Sequence, residues 1–299
     1  MNVTDKYAAF IITFKRPEIL RDTLKALLAQ TAPPGNILIV DNDPDASAKK
    51  IAEGFNGIAY HNMGYNSGPA GAAAYGLRKL FTEDWQWVLW MDDNDPPQFE
   101  NVIENILKIP STYSHPELIG MIGAVGVRFN KWSVKTIRIP DQQLKGLIEV
   151  DNVAGNMLPM IHRRVFEKNV FPDESLFFGF EELDFSLAIK RAGLKVIVSG
   201  EEVHRHREKA GRLNFKRKTY QEKDIKKLWR EFYSVRNITF ILKNKEKNIP
   251  AVFVLLMRIS LKSLAGYKWG FNYGCLNMKY LFTGFIHGIS GKLGQRQFS

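Results

Sequence analysis

The strongest constraint on the fold is an alternation between two kinds of segment over residues 7–125. Short apolar runs such as YAAFIITF, NILIVDND and WQWVLWMDD alternate with stretches whose apolar residues have helical spacing, such as PEILRDTLKALLAQ and GPAGAAAYGLRKLF. Because this alternation is typical of βαβ units, it predicts a mostly parallel sheet flanked by helices. The predicted fold class is therefore α/β.

Composition and the N-terminus narrow the class further. The chain has 299 residues, 45% of them hydrophobic and 24% charged, as in globular proteins with one large core or two smaller ones. The single cysteine, Cys275, excludes an internal disulfide and a cysteine-based zinc site, and it favours a reducing compartment. The N-terminus lacks the pattern of a signal peptide, and no run approaches the roughly 18 apolar residues of a membrane span. These features predict a cytoplasmic protein.

Charge is distributed unevenly along the chain. The net charge is +11, but residues 1–204 carry −5 and residues 205–299 carry +16. No acidic residue follows Glu246, while apolar residues remain frequent. A basic, amphipathic C-terminal part suits either nucleic acid or an anionic membrane surface.

Polar side chains end three of the predicted strands, and they should converge on one crevice because ligands of parallel sheets bind beyond the carboxyl ends of the strands. These groups are Thr13, Lys15 and Arg16, then Asp41, Asn42 and Asp43, then Asp92, Asp93 and Asp95. The clustered carboxylates of the last group repel one another, and a divalent cation such as Mg²⁺ or Mn²⁺ would relieve that repulsion. The alternative is a solvated acidic turn, since the sequence DNDPP also favours a turn.

The loop HNMGYNSGPAGAAAYG contains Gly64, Gly68 and Gly71 before a predicted helix. Glycine-rich turns that begin a helix bring backbone N–H groups close to phosphates. Small residues at these positions also allow a helix to pack closely against a sheet. Both interpretations remain open from the sequence.

Two downstream motifs carry titratable groups. In FFGFEELDF, Glu181 and Asp184 share one helix face and Glu182 points about 100° away from Glu181. Acids at the start of a helix also complement its dipole, which is the alternative explanation. His204 and His206 lie on one face if their segment is extended, and one of them could then be a metal ligand.

In this order, the motifs resemble those of the inverting family 2 glycosyltransferases, which have the GT-A fold. The resemblance is closest to the bacterial rhamnosyltransferase and galactofuranosyltransferase branch. It covers about residues 7–240, including FYSVRNITFILK, which resembles the Arg-Asn helix that follows the catalytic domain in this branch. It implies a Rossmann-like GT-A domain over 1–210, with a nucleotide-sugar half over about 1–125 and an acceptor half over about 126–210. A basic amphipathic helical region over 211–299 follows.

The resemblance implies roles for individual residues. Glu182 matches the general base that deprotonates the acceptor hydroxyl. Asn94 stands where the family has the third aspartate of Asp-Asp-Asp, so the implied metal ligands are Asp93 and Asp95, with His206 preferred over His204 as a further ligand. The implied acceptor contacts are Glu181, Asp184 and Trp132. The implied nucleotide-sugar contacts are Thr13, Arg16, Asp41, Asn62, Gly64, Gly68 and Asp92.

The implied reaction is a metal-dependent transfer, with Mn²⁺ or Mg²⁺, of rhamnose or galactofuranose from a UDP- or dTDP-sugar. The acceptor would be a hydroxyl of a cell-surface polysaccharide or lipid-linked glycan. One rival is a nucleic-acid-binding protein that uses residues 205–230, which hold 11 basic and 3 acidic residues without a recognised fold signature. Another is a sugar nucleotidyltransferase, but TFKRPEIL lacks the glycine-rich basic signature of that class. We therefore expect no nucleic-acid partner.

The C-terminal segment 247–299 suggests where the protein acts. Arg258 and Lys262 are four residues apart and share a helix face, with Phe253 and Leu261 nearby. The negative cytoplasmic leaflet attracts such basic residues by about 1 kcal/mol each. This predicts peripheral attachment to the inner face of the cell membrane. The alternative is a helical subdomain that packs on the catalytic domain or on a second subunit of a homo-oligomer.

Overall fold

The computed structural model describes residues 7–215 and 222–298. The chain divides into two compact units, each built from several segments. The first unit comprises Met1–Arg128, Arg138–Glu174 and Glu182–Asn214. The second comprises Phe129–Ile137, Ser175–Glu181 and Phe215–Ser299.

The secondary-structure elements are numbered here in chain order. The strands are β1 (Tyr7–Thr13), β2 (Asn36–Asp41), β3 (Ile58–Asn62), β4 (Trp87–Asp92), β5 (Ile119–Gly123), β6 (Arg128–Asn130), β7 (Lys135–Ile137), β8 (Leu147–Glu149), β9 (Met160–His162) and β10 (Lys195–Ser199). The helices are α1 (Pro17–Leu28), α2 (Lys49–Glu53), α3 (Gly68–Phe81), α4 (Val102–Leu107), α5 (Ile109–Thr112), α6 (Arg163–Glu167), α7 (Glu181–Arg191), α8 (Gly200–Lys209), α9 (Trp229–Phe240), α10 (Ile249–Gly266) and α11 (Phe271–Ser290).

The first unit is organised around an eight-stranded sheet in the order β3-β2-β1-β4-β9-β5-β10-β8. Strands β3, β2, β1 and β4 are mutually parallel, as are β5 and β10, whereas β8 and β9 run antiparallel to their neighbours. Every residue of β1 is buried, since Phe10 packs in the core on one face of the sheet and Ile11 in the core on the other. A strand covered on both faces needs a continuous apolar run, which explains YAAFIIT. The predicted mostly parallel α/β fold is confirmed.

Strand register brings the polar strand ends to one level. Thr13 pairs with Asp41 across β1 and β2, and Ile12 pairs with Asp92 across β1 and β4. Because the three strands are parallel, their carboxyl ends lie side by side at one edge of the sheet. The convergence expected from the sequence is present.

The second unit contains α9, α10 and α11. Two glycines of α11 let it approach α9 closely: a Cβ at Gly284 would lie 2.5 Å from the Phe232 carbonyl oxygen, and one at Gly288 would lie 2.4 Å from that of Arg236. An aromatic group supports this contact, with Phe232 and Tyr233 of α9 fully buried. Helical residues therefore dominate this part, as the sequence predicted for the C-terminal region.

Two basic residues of α10, Arg258 and Lys262, form polar contacts with other parts of the same unit. Arg258 donates two hydrogen bonds of 2.7 Å, to the carbonyl oxygens of Ser133 and Val134. The Lys262 ammonium lies 2.5 Å from a carboxylate oxygen of Glu231, and burial lowers the pKa of Lys262. Protein groups therefore already bind both cations, and peripheral attachment to a membrane stays a prediction.

One helical segment, Ile249–Trp269, is long and apolar enough to cross a membrane, and 33% of its most apolar window is buried. This corrects the expectation that no such segment exists. The segment is apolar enough on average to span a membrane although it contains Arg258, Lys262 and Lys268. Length and composition are the whole basis of this assignment, and core helices of globular proteins meet the same criterion.

Candidate active site

Asp93 is the most enclosed carboxylate at the end of β4. It is fully buried. One of its oxygens contacts Thr13, the last residue of β1, and the other contacts Arg16, which lies just after that strand. Thr13 donates to Oδ2 at 2.7 Å, and Arg16 Nη2 lies 2.5 Å from Oδ1. Burial raises the pKa of Asp93, while the hydrogen bond from Thr13 and the charge of Arg16 act in the opposite direction. Arg16 also donates to the Asn94 side chain at 3.2 Å, so this arginine spans the acidic turn.

Asp41 is buried at the end of β2, and both of its carboxylate oxygens accept hydrogen bonds. Oδ1 accepts from the Asp43 amide at 2.9 Å. Oδ2 accepts from the Ala48 amide at 3.1 Å and from the Tyr60 hydroxyl at 2.9 Å. Asp41 therefore fixes the loop between β2 and α2, a contribution to structure that the sequence did not indicate.

The loop after β3 is ordered by asparagine side chains. Asn62 accepts from the Gly64 amide at 2.7 Å and donates to the Asp43 carbonyl oxygen at 2.6 Å. Gly64 and Gly68 have φ values of 73° and 68°, a region that residues with a Cβ rarely adopt. A Cβ at Gly71 would lie 2.8 Å from that of Ser67. Gly64 and Gly68 thus allow backbone turns, and Gly71 makes room for the Ser67 side chain one helical turn earlier; both interpretations of the loop stay predictions.

A second carboxylate faces Asp92 across a glycine. The Gly155 amide donates to Glu182 Oε1 at 2.7 Å. An added Cβ at Gly155 would lie 2.9 Å from Glu182 Oε1 and 3.1 Å from Asp92 Oδ2, so both carboxylates approach this one backbone position. The local sequence VAGNM gave no sign of this role, since glycine carries no chemistry of its own and the pairing depends on a contact 27 residues along the chain.

The electrostatics of this cluster are unfavourable for several ionised carboxylates at once. Burial and, to a lesser extent, the nearby Glu182, Asp95 and Asp93 together raise the pKa of Asp92 to about 7, while Arg16 opposes the change. Burial also raises the pKa of Glu182, while the hydrogen bond from Gly155 opposes that change and Asp95 adds to it. Such a site favours a bound proton or cation.

The remaining acids of the motif lie in α7. Glu181 and Asp184 are both buried, and an Arg191 guanidinium nitrogen lies 3.8 Å from Asp184 Oδ1. The predicted acceptor contact Trp132 lies between β6 and β7 and is 67% exposed. An exposed indole is available to a ligand, whereas Glu181 and Asp184 are largely removed from solvent.

His204 and His206 lie in α8, not in the extended segment expected from the sequence. Two residues apart on a helix, they point in nearly opposite directions. His206 is buried, its Nδ1 lies 2.9 Å from the Glu202 carbonyl oxygen, and its ring meets Phe99 edge-on at 5.1 Å. Over residues 7–215 and 222–298, no three acidic, histidine or cysteine side chains are grouped to hold a metal, so the histidines do not join Asp93 and Asp95 in a formed site.

One solved structure with a related fold is that of TarS from S. aureus. The superposition gives a TM-score of 0.50 with 14% sequence identity, and it covers 88% of this chain and 45% of that chain. At this identity the likeness concerns the fold alone. It supports the GT-A assignment made from the sequence motifs.

Sequence comparison identifies the family. Galactofuranosyltransferase GlfT1 from Mycolicibacterium smegmatis is 28% identical over 123 residues, which cover 41% of each chain. GlfT1 from Mycobacterium tuberculosis is 31% identical over 124 residues, which cover 40% of each chain. This chain thus spans about two fifths of the length of these relatives. The model of Glycosyl transferase family 2 matches residues 8–156, from β1 to the glycine beside Asp92 and Glu182, and the chain therefore belongs to glycosyl transferase family 2.

Proposed function

We propose that this chain is an inverting glycosyltransferase that moves rhamnose or galactofuranose from a nucleoside diphosphate donor to a hydroxyl of a cell-surface polysaccharide or lipid-linked glycan. The observation that carries the proposal is the approach of Asp92 and Glu182 to Gly155 beside the buried Asp93. One carboxylate group is thereby available to a donor while a second is available to an acceptor. The name of the similar mycobacterial proteins makes UDP-galactofuranose the donor to test first.

In this proposal, the donor lies against the strand ends. The residues that bind it are Thr13, Arg16, Asp41, Asn62, Gly64, Gly68 and Asp92. The main chain around Gly64 can approach a diphosphate because no Cβ stands in the way. Trp132, Glu181 and Asp184 are assigned to the acceptor.

The base in the proposed reaction is Glu182. Its carboxylate accepts the proton of the acceptor hydroxyl as the hydroxyl oxygen bonds to the anomeric carbon. The bond from that carbon to the diphosphate breaks, the nucleoside diphosphate leaves with the electron pair, and attack from the opposite face inverts the anomeric centre. The Gly155 amide stabilises the ionised form of Glu182 that this step needs.

The donor set at the β4 end fits a hard divalent cation, Mn²⁺ or Mg²⁺. Asp93 and Asp95 supply carboxylate oxygens, and the crowding that raises the pKa of Asp92 is what a cation would relieve. His206 and His204 are left out of this donor set, because no third acidic, histidine or cysteine side chain is grouped with these carboxylates among the described residues. When bound, the cation would neutralise charge on the leaving diphosphate.

Nucleotide and metal binding can be tested together by thermal shift. With nucleotide at about 100 times its Kd, we expect UDP or dTDP to raise Tm by about 5 °C when Mn²⁺ is present, with little change in EDTA. Asp93→Asn should abolish the part of the rise in Tm that depends on Mn²⁺. A shift of equal size in EDTA would contradict the metal requirement, and the absence of a shift with any nucleoside diphosphate would contradict the proposed donor.

The rival role in nucleic-acid binding would use the basic segment 205–230, and protein groups already bind one of its arginines. Its first residues belong to α8, where Arg207 is buried and donates to the Ile139 carbonyl oxygen at 2.7 Å and to Asp141 at 2.6 Å. A buried guanidinium with two protein acceptors is not available to a phosphate. Residues 216–221 of the segment lie outside the described residues.

We further propose that α10 attaches the protein to the inner face of the membrane through an apolar stripe. The stripe is Ile249, Phe253, Met257, Leu261 and Leu264, each between 47% and 69% exposed. Their spacing of three or four residues places them along one side of the helix. Residues 247–299 contain seven basic residues and no acidic residue. Protein groups bind Arg258 and Lys262, and the charge of the other five suits an anionic bilayer rather than a second copy of the same basic surface.

Flotation with vesicles tests the attachment. Phe253→Ser combined with Leu261→Ser should reduce binding to phosphatidylglycerol-containing vesicles more than tenfold, since each buried side chain contributes about 1.5–3 kcal/mol. Ile19→Ser with Leu28→Ser, which changes two exposed apolar residues of α1, is the matched control and should float like the wild type. If the α10 variant floats normally but loses a dimer by light scattering, the stripe binds a second copy instead.

A further inference from the structure

Asn237 of α9 holds a short segment of main chain with one side-chain amide. Its Nδ2 lies 2.8 Å from the carbonyl oxygen of Leu176, 3.0 Å from that of Phe178 and 2.7 Å from that of Gly179. An amide nitrogen carries two hydrogens, so these three acceptors share its full donor capacity. Asn237 is fully buried, which means that water does not compete for these bonds.

The orientation of this amide is fixed by its neighbour. Arg236 Nε donates to Asn237 Oδ1 at 2.8 Å, which leaves Nδ2 pointing at the three carbonyl oxygens. Arg236 also donates to the Leu176 carbonyl oxygen at 2.8 Å and to that of Gly294 at 2.6 Å. Two consecutive buried polar residues therefore bind the same few peptide groups.

The bound segment has an unfavourable backbone. Phe177, Gly179 and Phe180 have φ values of 59°, 83° and 67°. Residues with a Cβ adopt this left-handed region only when surrounding contacts compensate its cost. The Phe177 ring packs against Tyr233 with ring centroids 5.3 Å apart. The hydrogen bonds that Asn237 donates to the carbonyl oxygens of this segment also offset the cost of its left-handed backbone.

We propose that Asn237, oriented by Arg236, is a positioning residue for the base Glu182. The strained segment ends at Phe180, and α7 begins at the next residue, so Glu182 is the second residue of that helix. Glu182 therefore follows the held backbone of Phe177–Phe180 by two residues in the chain. The inference rests on the proposed function, because it assigns Asn237 a role in the chemical step that Glu182 performs.

A positioning residue and a general stabiliser predict different kinetics. If Asn237 acts through Glu182, its loss should lower kcat and leave the KM for the donor nearly unchanged, because the assigned donor contacts lie at the strand ends. A residue that only stabilises the fold would lower Tm without a selective effect on kcat at a temperature well below Tm.

The test uses the full chain with Asn237→Ala, and with Asn237→Ser as a second variant that keeps one donor. We expect kcat for nucleotide release from UDP-galactofuranose, or from dTDP-rhamnose if only that donor reacts, to fall about tenfold in Asn237→Ala. The donor KM should stay within about twofold, and Asn237→Ser should be intermediate. Hydrogen exchange followed by mass spectrometry should show faster exchange at residues 176–186 and unchanged exchange in β1 and β4.

The matched control is Asn277→Ala. Asn277 is also a buried asparagine, but it donates to the Lys262 carbonyl oxygen at 3.3 Å within the α10–α11 pair. It should leave both kcat and exchange at 176–186 unchanged. The proposal is wrong if Asn237→Ala keeps wild-type kcat, if exchange at 176–186 does not change, or if the control has the same effect. Should the wild type turn over neither donor, the proposed function fails, and the exchange data alone still decide whether Asn237 holds the segment.

Discussion

Replacing Glu182 with glutamine should lower kcat by about 10²–10⁴-fold, the range that a positioned general base contributes. Glutamine has the size of glutamate and its carbonyl oxygen can still accept the hydrogen bond from Gly155, which is 2.7 Å long in the present structure. The variant therefore keeps the local structure and loses only the proton acceptor. The measurement is the steady-state rate of nucleotide release from the donor.

Donor affinity separates this effect from a general disturbance of the site. The Kd for the nucleoside diphosphate should stay within about twofold of the wild-type value, since the substitution removes no group assigned to the donor. Glu181→Gln is the neighbouring control, because it makes the same chemical change one residue earlier in α7. If Glu181→Gln lowers kcat as far as Glu182→Gln does, the assignment of the base is wrong.

Gly155→Ala should lower kcat by about 10²-fold, although it adds only a methyl group. The added Cβ would lie 2.9 Å from Glu182 Oε1 and 3.1 Å from Asp92 Oδ2, closer than carbon and oxygen normally approach. At least one carboxylate must move, and a displacement of about 1 Å in a reacting group can cost this much in rate. The substitution is made in backbone that alanine can adopt, since Gly155 is not among the residues with positive φ.

A crystal structure of Gly155→Ala would show which carboxylate moves, and thermal unfolding would show how much stability is lost. Gly54→Ala is a suitable control, because Gly54 also has a negative φ and its Cβ would meet only main-chain oxygens of α2, at 3.3 Å and 3.6 Å. We expect wild-type kcat for the control. Wild-type kcat in Gly155→Ala would contradict the proposal that the reaction depends on the present positions of the Glu182 and Asp92 carboxylates beside residue 155.

Much of the polar cluster at the edge of the sheet could be predicted from the sequence because its residues lie at the ends of strands. A strand that is buried on both faces has a continuous apolar run, and the first polar residue after the run marks its carboxyl end. Thr13, Asp41 and Asp92 were located in this way, and parallel pairing then brings them to one edge. Local sequence and one topological rule were enough here.

The contacts of Glu182 and of the segment before α7 could not be predicted as well because they join distant parts of the chain. Gly155 meets Glu182, and Asn237 meets residues 176–179, through loops whose sequences have no periodic pattern. The histidines illustrate the same limit. The sequence HRH at 204–206 alternates like a strand, yet the segment lies in the helix α8, which the Ser199 side chain caps by accepting from the Glu202 amide at 3.3 Å.

The sequence by itself determined the α/β class, the order of the elements and the identity of the acids and polar groups that end the strands. Those properties follow from hydrophobic periodicity, which each segment carries independently of the others. Tertiary structure alone decided which cations remain available, since Arg258 and Lys262 are bound by protein groups while the apolar stripe of α10 is exposed. It also decided that two carboxylates approach Gly155 and that Asn237 binds the carbonyl oxygens of Leu176, Phe178 and Gly179. The physical reason is that hydrogen bonds and like-charge repulsion act between neighbours in space, and spatial neighbours are set only when the segments pack.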